Sequence, residues 1–174
     1  MIEGHPPQFA LQMDSNNLST PYPVEAASQA ITQSSGAPIN TRTIVITSGK
    51  GGVGKTTATA NLGMSIARLG YRVALVDADI GLRNLDLLLG LENRVLYTAM
   101  DILEGQCRLD QALIRDKRWK NLSLLSISKN RQRYNVTRKN MERLIASVCA
   151  LGYNFVIIDC PAGIDVGVRV DRFC

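Results

Sequence analysis

The sequence predicts an α/β domain, a mostly parallel sheet with helices on both faces, and three observations carry that prediction. First, Thr43 to Thr57 reads TIVITSGKGGVGKTT, an apolar run joined through a glycine-rich loop to the start of a helix. Second, two further apolar runs, 72–76 and 155–158, each close on an acid, Asp77 and Asp159. Third, the helix-to-strand joins before them repeat, as Leu69-Gly70-Tyr71 and Leu151-Gly152-Tyr153. That is the alternation which parallel strands with right-handed crossovers require. A chain of 174 residues with 45% hydrophobic content supports one domain with a real core rather than two.

In chain order, residues 1–41 are rich in Ser, Pro, Asn, Gln and Thr without a sustained period, which predicts a flexible leader. Glu3, Asp14 and Glu25 are present and no Lys or Arg precedes Arg42, so the leader does not read as a basic, acid-poor transit peptide. Ile44, Val45 and Ile46 predict a buried strand. Leu62, Ile66 and Leu69 recur at helical spacing and Gly70 follows, so a helix is expected over about 55–69. The next strand, 72–76, delivers Asp77 and Asp79 at its carboxyl end, where ligands of open parallel sheets bind. Between 80 and 94, Leu82, Leu85, Leu88 and Leu89 are available for a packed segment. Two short helices over the sheet are expected at 97–103 and 109–114, and a third strand at 121–127. A basic loop, 129–134, leads to a helix that Thr137 caps, with Met141, Leu144, Ile145, Val148 and Leu151 on one face and Gly152 at its end. The last strand ends at Asp159, and Pro161 and Gly163 suit a bend there.

The chemistry concentrates in the loop. Gly49 to Thr56 satisfies G-x-x-x-x-G-K-[ST], the phosphate-binding pattern, and it sits between a strand and a helix as that pattern needs. Gly49, Gly51, Gly52 and Gly54 lack Cβ atoms, so the backbone can turn successive N–H groups of residues 49–57, Val53 and Thr57 included, toward one anion. The following helix adds the positive end of its dipole. Lys55 supplies a full charge for β- and γ-phosphates, and the Thr56 hydroxyl suits Mg²⁺. Asp159, closing a hydrophobic strand, fits a Mg²⁺-side carboxylate in such an enzyme.

Composition narrows the rest. A net charge of +5 favours anionic partners without choosing among nucleotides, nucleic acid and acidic membrane surfaces. Lys129, Arg131, Arg133, Arg138, Lys139 and Arg143 could meet a phosphate-rich surface, but only Tyr134 is interleaved for base stacking, so a solvated face is expected. Cys107, Cys149, Cys160 and Cys174 form no C-x-x-C pair, and the single histidine, His5, lies in the leader, so free thiols in a reduced compartment are expected. No apolar run approaches the roughly 18 to 20 residues of a membrane span.

Lys50, directly after the first glycine, gives the loop the KGGVGKTT form called the deviant Walker A, and this resembles the MinD/ParA family of P-loop ATPases. GLRNLDLLLG (81–90), ENRV (92–95), QALIRDKR (111–118) and DCPAGID (159–165) are similar to its division-site branch of plastids and cyanobacteria. The resemblance covers about residues 43–167 and implies a P-loop NTPase-like fold, of which 42–167 would be the N-terminal half. It implies an ATP- and Mg²⁺-dependent ATPase that places the division septum, working as an ATP-dependent homodimer with MinC- and MinE-like regulators at a membrane surface. Nucleic acid is not an expected partner. By the same likeness Lys50 resembles the lysine that reaches across the dimer to the second copy's phosphates. Asp79 looks like the acid that positions the attacking water, and Asp77 and Asp159 look like acids around Mg²⁺. Plastid stroma, peripheral to the inner membrane, is the expected compartment, with bacterial cytoplasm the alternative.

Departures from the family set further expectations. Residues 168–174 look unrelated to it, and the family's strand beside the loop strand, adenine-contacting region and C-terminal amphipathic helix have no counterpart in the sequence. A truncated reading frame is expected, with Thr43–Thr47 left at a sheet edge, marginal stability and weak ATP binding. A ParA-like DNA-segregation ATPase, an electron-transfer iron protein with the same loop, and a non-catalytic product that titrates partners are the competing readings. The iron protein needs paired cluster cysteines, which Cys107 and Cys160 do not supply.

Overall fold

The computed structural model describes residues 40–79, 84–127 and 137–163. Residues 1–39 of the leader, Ile80 to Arg83, the basic loop at 129–134 and the tail at 168–174 lie outside the described residues, and so do the expectations placed on them.

Five strands form one sheet in the order β1-β5-β2-β4-β3. They are β1 (Arg42–Ile46), β2 (Val73–Asp77), β3 (Ile114–Arg115), β4 (Leu122–Ser126) and β5 (Phe155–Asp159). All neighbours pair parallel except the two-residue β3, which runs antiparallel to β4. The crossovers are α1 (Lys55–Arg68), α2 (Leu85–Leu89), α3 (Ala99–Leu103), α4 (Leu109–Ala112) and α5 (Arg138–Ala150), with a 3₁₀ turn at Glu92–Arg94. The predicted α/β class, mostly parallel with helices on both faces, is the fold observed.

Period-2 alternation divides the sheet's side chains between two cores. Val73 and Leu75 of β2, Leu122 and Leu124 of β4 and Ile157 of β5 are buried with Ala60 and Ala67 of α1 and Leu85 and Leu89 of α2. Ala74, Val76, Leu125, Val156 and Ile158 face the other way, onto Leu144, Ile145 and Val148 of α5. Because β2, β4 and β5 are covered on both sides, they read as continuous apolar runs rather than alternating ones. The α5 face therefore holds as expected, and the Thr137 hydroxyl accepts from the Asn140 N–H at its N-cap. Among the described residues β1 pairs only with β5, so the loop strand stands at the sheet's edge.

The sequence reading needs four corrections. Ile44, Val45 and Ile46 are half-buried instead of buried, because β1 has a neighbouring strand on one side only among the described residues. Residue 114 does not end a helix: α4 stops at Ala112, and Ile114 pairs with Leu124 in β3. Leu88 does not pack with Leu85 and Leu89 but is 49% exposed, since a helix of five residues turns only part of its surface to the sheet. Cys149 is disulfide-bonded, contrary to the expectation of thiols throughout, whereas Cys107 and Cys160 are not in disulfides. Spacing along the chain carries no information on which sulfurs the fold brings together.

Gly63 fixes how closely α1 sits on β2. A Cβ added there would lie 2.6 Å from Cδ2 and 3.1 Å from Cγ of Leu75, a fully buried side chain that would have to shift within the core. Gly63→Ala is therefore expected to destabilise the fold by about 1–3 kcal/mol, despite the better helix propensity of alanine. Chemical denaturation checks this, and an unchanged midpoint would show that the layer can shift freely.

Candidate functional site

β1 hands the chain to the loop at the carboxyl end of the sheet, and the turn after β5 laces onto it. The Cys160 N–H donates to the Ile46 carbonyl at 3.0 Å, and the Gly163 N–H donates to the Ser48 carbonyl at 3.1 Å. Within the loop Gly52 (φ 74°) and Gly54 (φ 89°) adopt left-handed backbone, which a side chain would strain. Gly49 and Gly51 do not. A Cβ at Gly49 would meet nothing within 4 Å, and one at Gly51 would meet only Ala162 Cβ at 3.9 Å. The backbone conformation thus demands glycine at two of the four positions, Gly52 and Gly54.

α1 starts at Lys55 with Gly54 as its N-cap, no side-chain capping bond and no acid in its first turn. No side-chain oxygen of the cap therefore takes up the first-turn donors at the end where the dipole is positive. Lys55 is half-buried, and its Nζ reaches back over the loop to donate to Ser48 Oγ at 3.0 Å. Ser48 Oγ in turn donates to the Lys50 carbonyl at 2.6 Å. Lys50, Val53 and Thr57 are exposed, whereas Thr56 is half-buried.

The acids come in beside the loop through strand register. Ile46, Asp159 and Asp77 are direct partners across β1, β5 and β2, so both carboxylates stand at the same end of the sheet as the loop. Asp77 is 2% exposed, and its Oδ1 accepts from the Asp79 N–H at 3.2 Å and its Oδ2 from the Leu85 N–H at 3.3 Å. Burial dominates its titration, outweighing those two donors; with the neighbouring charges of Asp159 and Asp86 it pushes the carboxyl from 3.8 up to about 7. Asp159 is likewise raised, chiefly by desolvation. The neighbouring Thr56 and Thr59 hydroxyls and the Lys55 charge oppose that shift, while Asp79 reinforces it. The Cys160 thiol beside it is pushed up to about 11, first by burial and then by Asp159. It stays a neutral thiol at physiological pH.

The loop, Lys55, Thr56, Asp77, Asp79 and Asp159 thus lie in one neighbourhood, and Lys50 is exposed. Two members escaped the sequence reading. Ser48 receives the Lys55 ammonium. Thr59 is fully buried against Asp159 while its hydroxyl donates to the Lys55 carbonyl at 3.0 Å. Thr59 lies one turn after Thr56, and a hydroxyl repeated at that spacing on the sheet-facing side of α1 was the available signal.

The donor set fits a Mg²⁺ ion that shares its coordination with a phosphate. Among the described residues no three or more His, Cys, Asp or Glu side chains are arranged to hold a metal by themselves. Asp159 Oδ1, however, is buried with no hydrogen-bond partner among the described residues, and the Thr56 hydroxyl neighbours the same carboxylate. One carboxylate and one hydroxyl, completed by phosphate oxygens and water, are what Mg²⁺ takes at nucleotide sites.

Comparison with known proteins agrees with this geometry. The chain is 88% identical over 126 residues to a protein of Chlorella vulgaris named as septum site-determining protein MinD, covering 72% of this chain and 45% of that one. It is 53% identical over 157 residues to the chloroplastic MinD homologue of Arabidopsis thaliana, covering 87% and 48%. Among solved structures, the MinC:MinD cell division complex of Aquifex aeolicus matches with TM-score 0.63 and 45% identity over 74% of this chain and 50% of that one. MinD of Pyrococcus horikoshii complexed with Mg-ADP matches with TM-score 0.63 and 36% identity over 72% and 51%. The chain spans about half the length of these relatives. Residues 44–160 match the profile of the CobQ/CobB/MinD/ParA nucleotide binding domain, and the chain belongs to that family.

Proposed function

We propose that this domain binds ATP with Mg²⁺ and hydrolyses it, and that the state of the nucleotide is a switch in placing the division septum. The observation that carries this reading is the meeting, at one end of the sheet, of an uncapped helix N-terminus, a lysine turned over a glycine loop and a buried carboxylate oxygen without a partner among the described residues. The backbone N–H groups of Gly49 to Thr57 would cradle the phosphates, and Gly49 and Gly51 let a phosphate approach where a Cβ would stand. Lys55 balances charge on the β- and γ-oxygens. Thr56 and Asp159 would hold Mg²⁺, with Asp77 supporting from the next strand; the ion, when bound, neutralises charge on the phosphates. Asp79 would orient the attacking water.

Lys50 has another task in this reading. Exposed at the loop tip, it would reach the phosphates held by a second copy in an ATP-dependent homodimer, so that hydrolysis waits on pairing. A MinC-like protein is the favoured partner, supported by the MinC:MinD complex of the Aquifex relative, and a MinE-like regulator is the second. The plastid is the favoured compartment, supported by the chloroplastic relative, with the protein in the stroma against the inner membrane. No helix among the described residues is long and apolar enough to cross a membrane.

Titration with a fluorescent ATP analogue, with and without Mg²⁺, and phosphate release measured against protein concentration test the reading. Binding should strengthen with Mg²⁺, and turnover per protein should rise with concentration. Lys50→Ala should keep the binding and lose the concentration-dependent turnover. Absence of Mg²⁺-strengthened binding in the unmutated chain would refute the proposal.

A further inference from the structure

The row of polar residues at the sheet's carboxyl end does not stop at the two acids. Ser126 of β4 is the register partner of Asp77, which is the register partner of Asp159, so β5, β2 and β4 present Asp159, Asp77 and Ser126 side by side. Leu122 and Leu124, four and two residues earlier on β4, both lie in the core beneath α1 and α2. Alternation along the strand therefore aims Ser126 at that same face. Ser126 is 1% exposed, and its Oγ is sealed from solvent without a hydrogen-bond partner among the described residues. Neighbouring strands stand roughly 4.8 Å apart, so the carboxylate of Asp77 is the polar group one strand over.

A buried hydroxyl without a partner costs stability, and alanine of nearly the same shape would avoid that cost. Such a group in the middle of a candidate site calls for a partner that the ligand-free protein does not engage. Asp77 can be that partner. Each of its oxygens accepts one backbone N–H, at 3.2 and 3.3 Å, which leaves lone pairs on both. A serine hydroxyl redirects by a single χ1 rotation between staggered positions, without any movement of β4.

We propose that Ser126 is a positioning residue for Asp77: in the Mg²⁺-nucleotide-bound protein its hydroxyl donates to the Asp77 carboxylate and fixes the direction in which that carboxylate points. This rests on the nucleotide- and Mg²⁺-binding reading given above. Asp79 and Leu85 hold Asp77 from the loop side through backbone N–H groups, and Ser126 holds it from the neighbouring strand β4. Groups that orient an acid near a metal in this way govern metal affinity without touching the metal.

The experiment measures how much Mg²⁺ strengthens binding of a fluorescent ATP analogue, as the ratio of affinities with and without MgCl₂, together with the melting temperature of the ligand-free protein. Ser126→Ala should reduce that ratio by about tenfold, leave binding without Mg²⁺ within about twofold, and melt at or above the unmutated temperature because an unpaired buried hydroxyl has gone. A purely structural serine would move the melt and leave the ratio alone, and that result overturns the proposal. Asp77→Asn and the double variant complete the cycle. Once Asp77 is changed, removing the hydroxyl should have little further effect. If Ser126→Ala retains its full effect in the Asp77→Asn background, the hydroxyl acts elsewhere, for instance on buried Asp86, and the proposal fails. If the unmutated chain shows no Mg²⁺ enhancement, it is the functional reading that falls, which a normal ratio in Ser126→Ala would not imply.

Discussion

Lys55→Ala is expected to weaken ATP binding by at least about a hundredfold and to abolish measurable turnover. The size of the effect follows from where the ammonium already is. Its Nζ is held over the loop by Ser48 at 3.0 Å, at the helix end where backbone donors converge, so a bound triphosphate would find the charge in place and would not need to order it. Lys139, an exposed residue of α5, is the matched control, and its alanine variant should change affinity by less than about twofold. Lys55 belongs to neither apolar core, so the melting temperature of the ligand-free variant should stay close to that of the parent. Calorimetric titration decides the matter. Equal losses in the Lys55 and Lys139 variants would mean that net charge binds the nucleotide, not the cradle.

The second large effect concerns pH. The folded chain holds the Asp77 proton up to about pH 7, whereas the unfolded chain releases it near 3.8. Between those values the native state binds more protons than the unfolded one, so stability falls as pH rises. Without ligand, the protein should be most stable below about pH 4 as far as this group is concerned, and should lose a few kcal/mol by pH 8, because holding one extra proton costs about 1.4 kcal/mol for every pH unit climbed through that window. Asp159, raised for the same reason, acts in the same direction. Asp116 works oppositely. Burial alone would raise it, but Arg118 and the N–H groups of Arg118 and Trp119 hold it below the ordinary carboxylate range. Its contribution is lost only in more acidic solution, outside the window in question. Denaturation at pH 5 and pH 8 with a chelator present should show the decline in the unmutated chain and a much flatter response in Asp77→Asn. An equally steep slope in both would assign it to another group.

Much of the fold was legible because its strands are either covered on both faces or joined to a loop of fixed chemistry. The run at 73–77, the Leu-Gly-Tyr joins and the Thr137 cap each state their structure locally. What stayed hidden depended on pairing. Ile114 and Arg115 are too few to show a period, and only their contact with β4 makes them a strand. The exposure of Leu88 follows from how few turns α2 has. At the site, the pattern located the loop and the acids, because a phosphate cradle dictates residue types at fixed spacing. Ser48, Thr59 and Ser126 carry ordinary hydroxyls whose part is set by neighbours from other strands and helices, and no spacing along the chain announces such neighbours.

Strand order also has a consequence for when the site comes into being during folding. Asn154 accepts from the Arg72 N–H at 2.8 Å across 82 positions of chain, and Thr41 bonds the Tyr153 carbonyl across 112. The loop and both acids therefore face one another only after these distant segments have docked, which is slow because long stretches must first lose their freedom. Competence to hold a triphosphate should arrive late and all at once, and nucleotide should retard unfolding while leaving the earliest phase of collapse untouched.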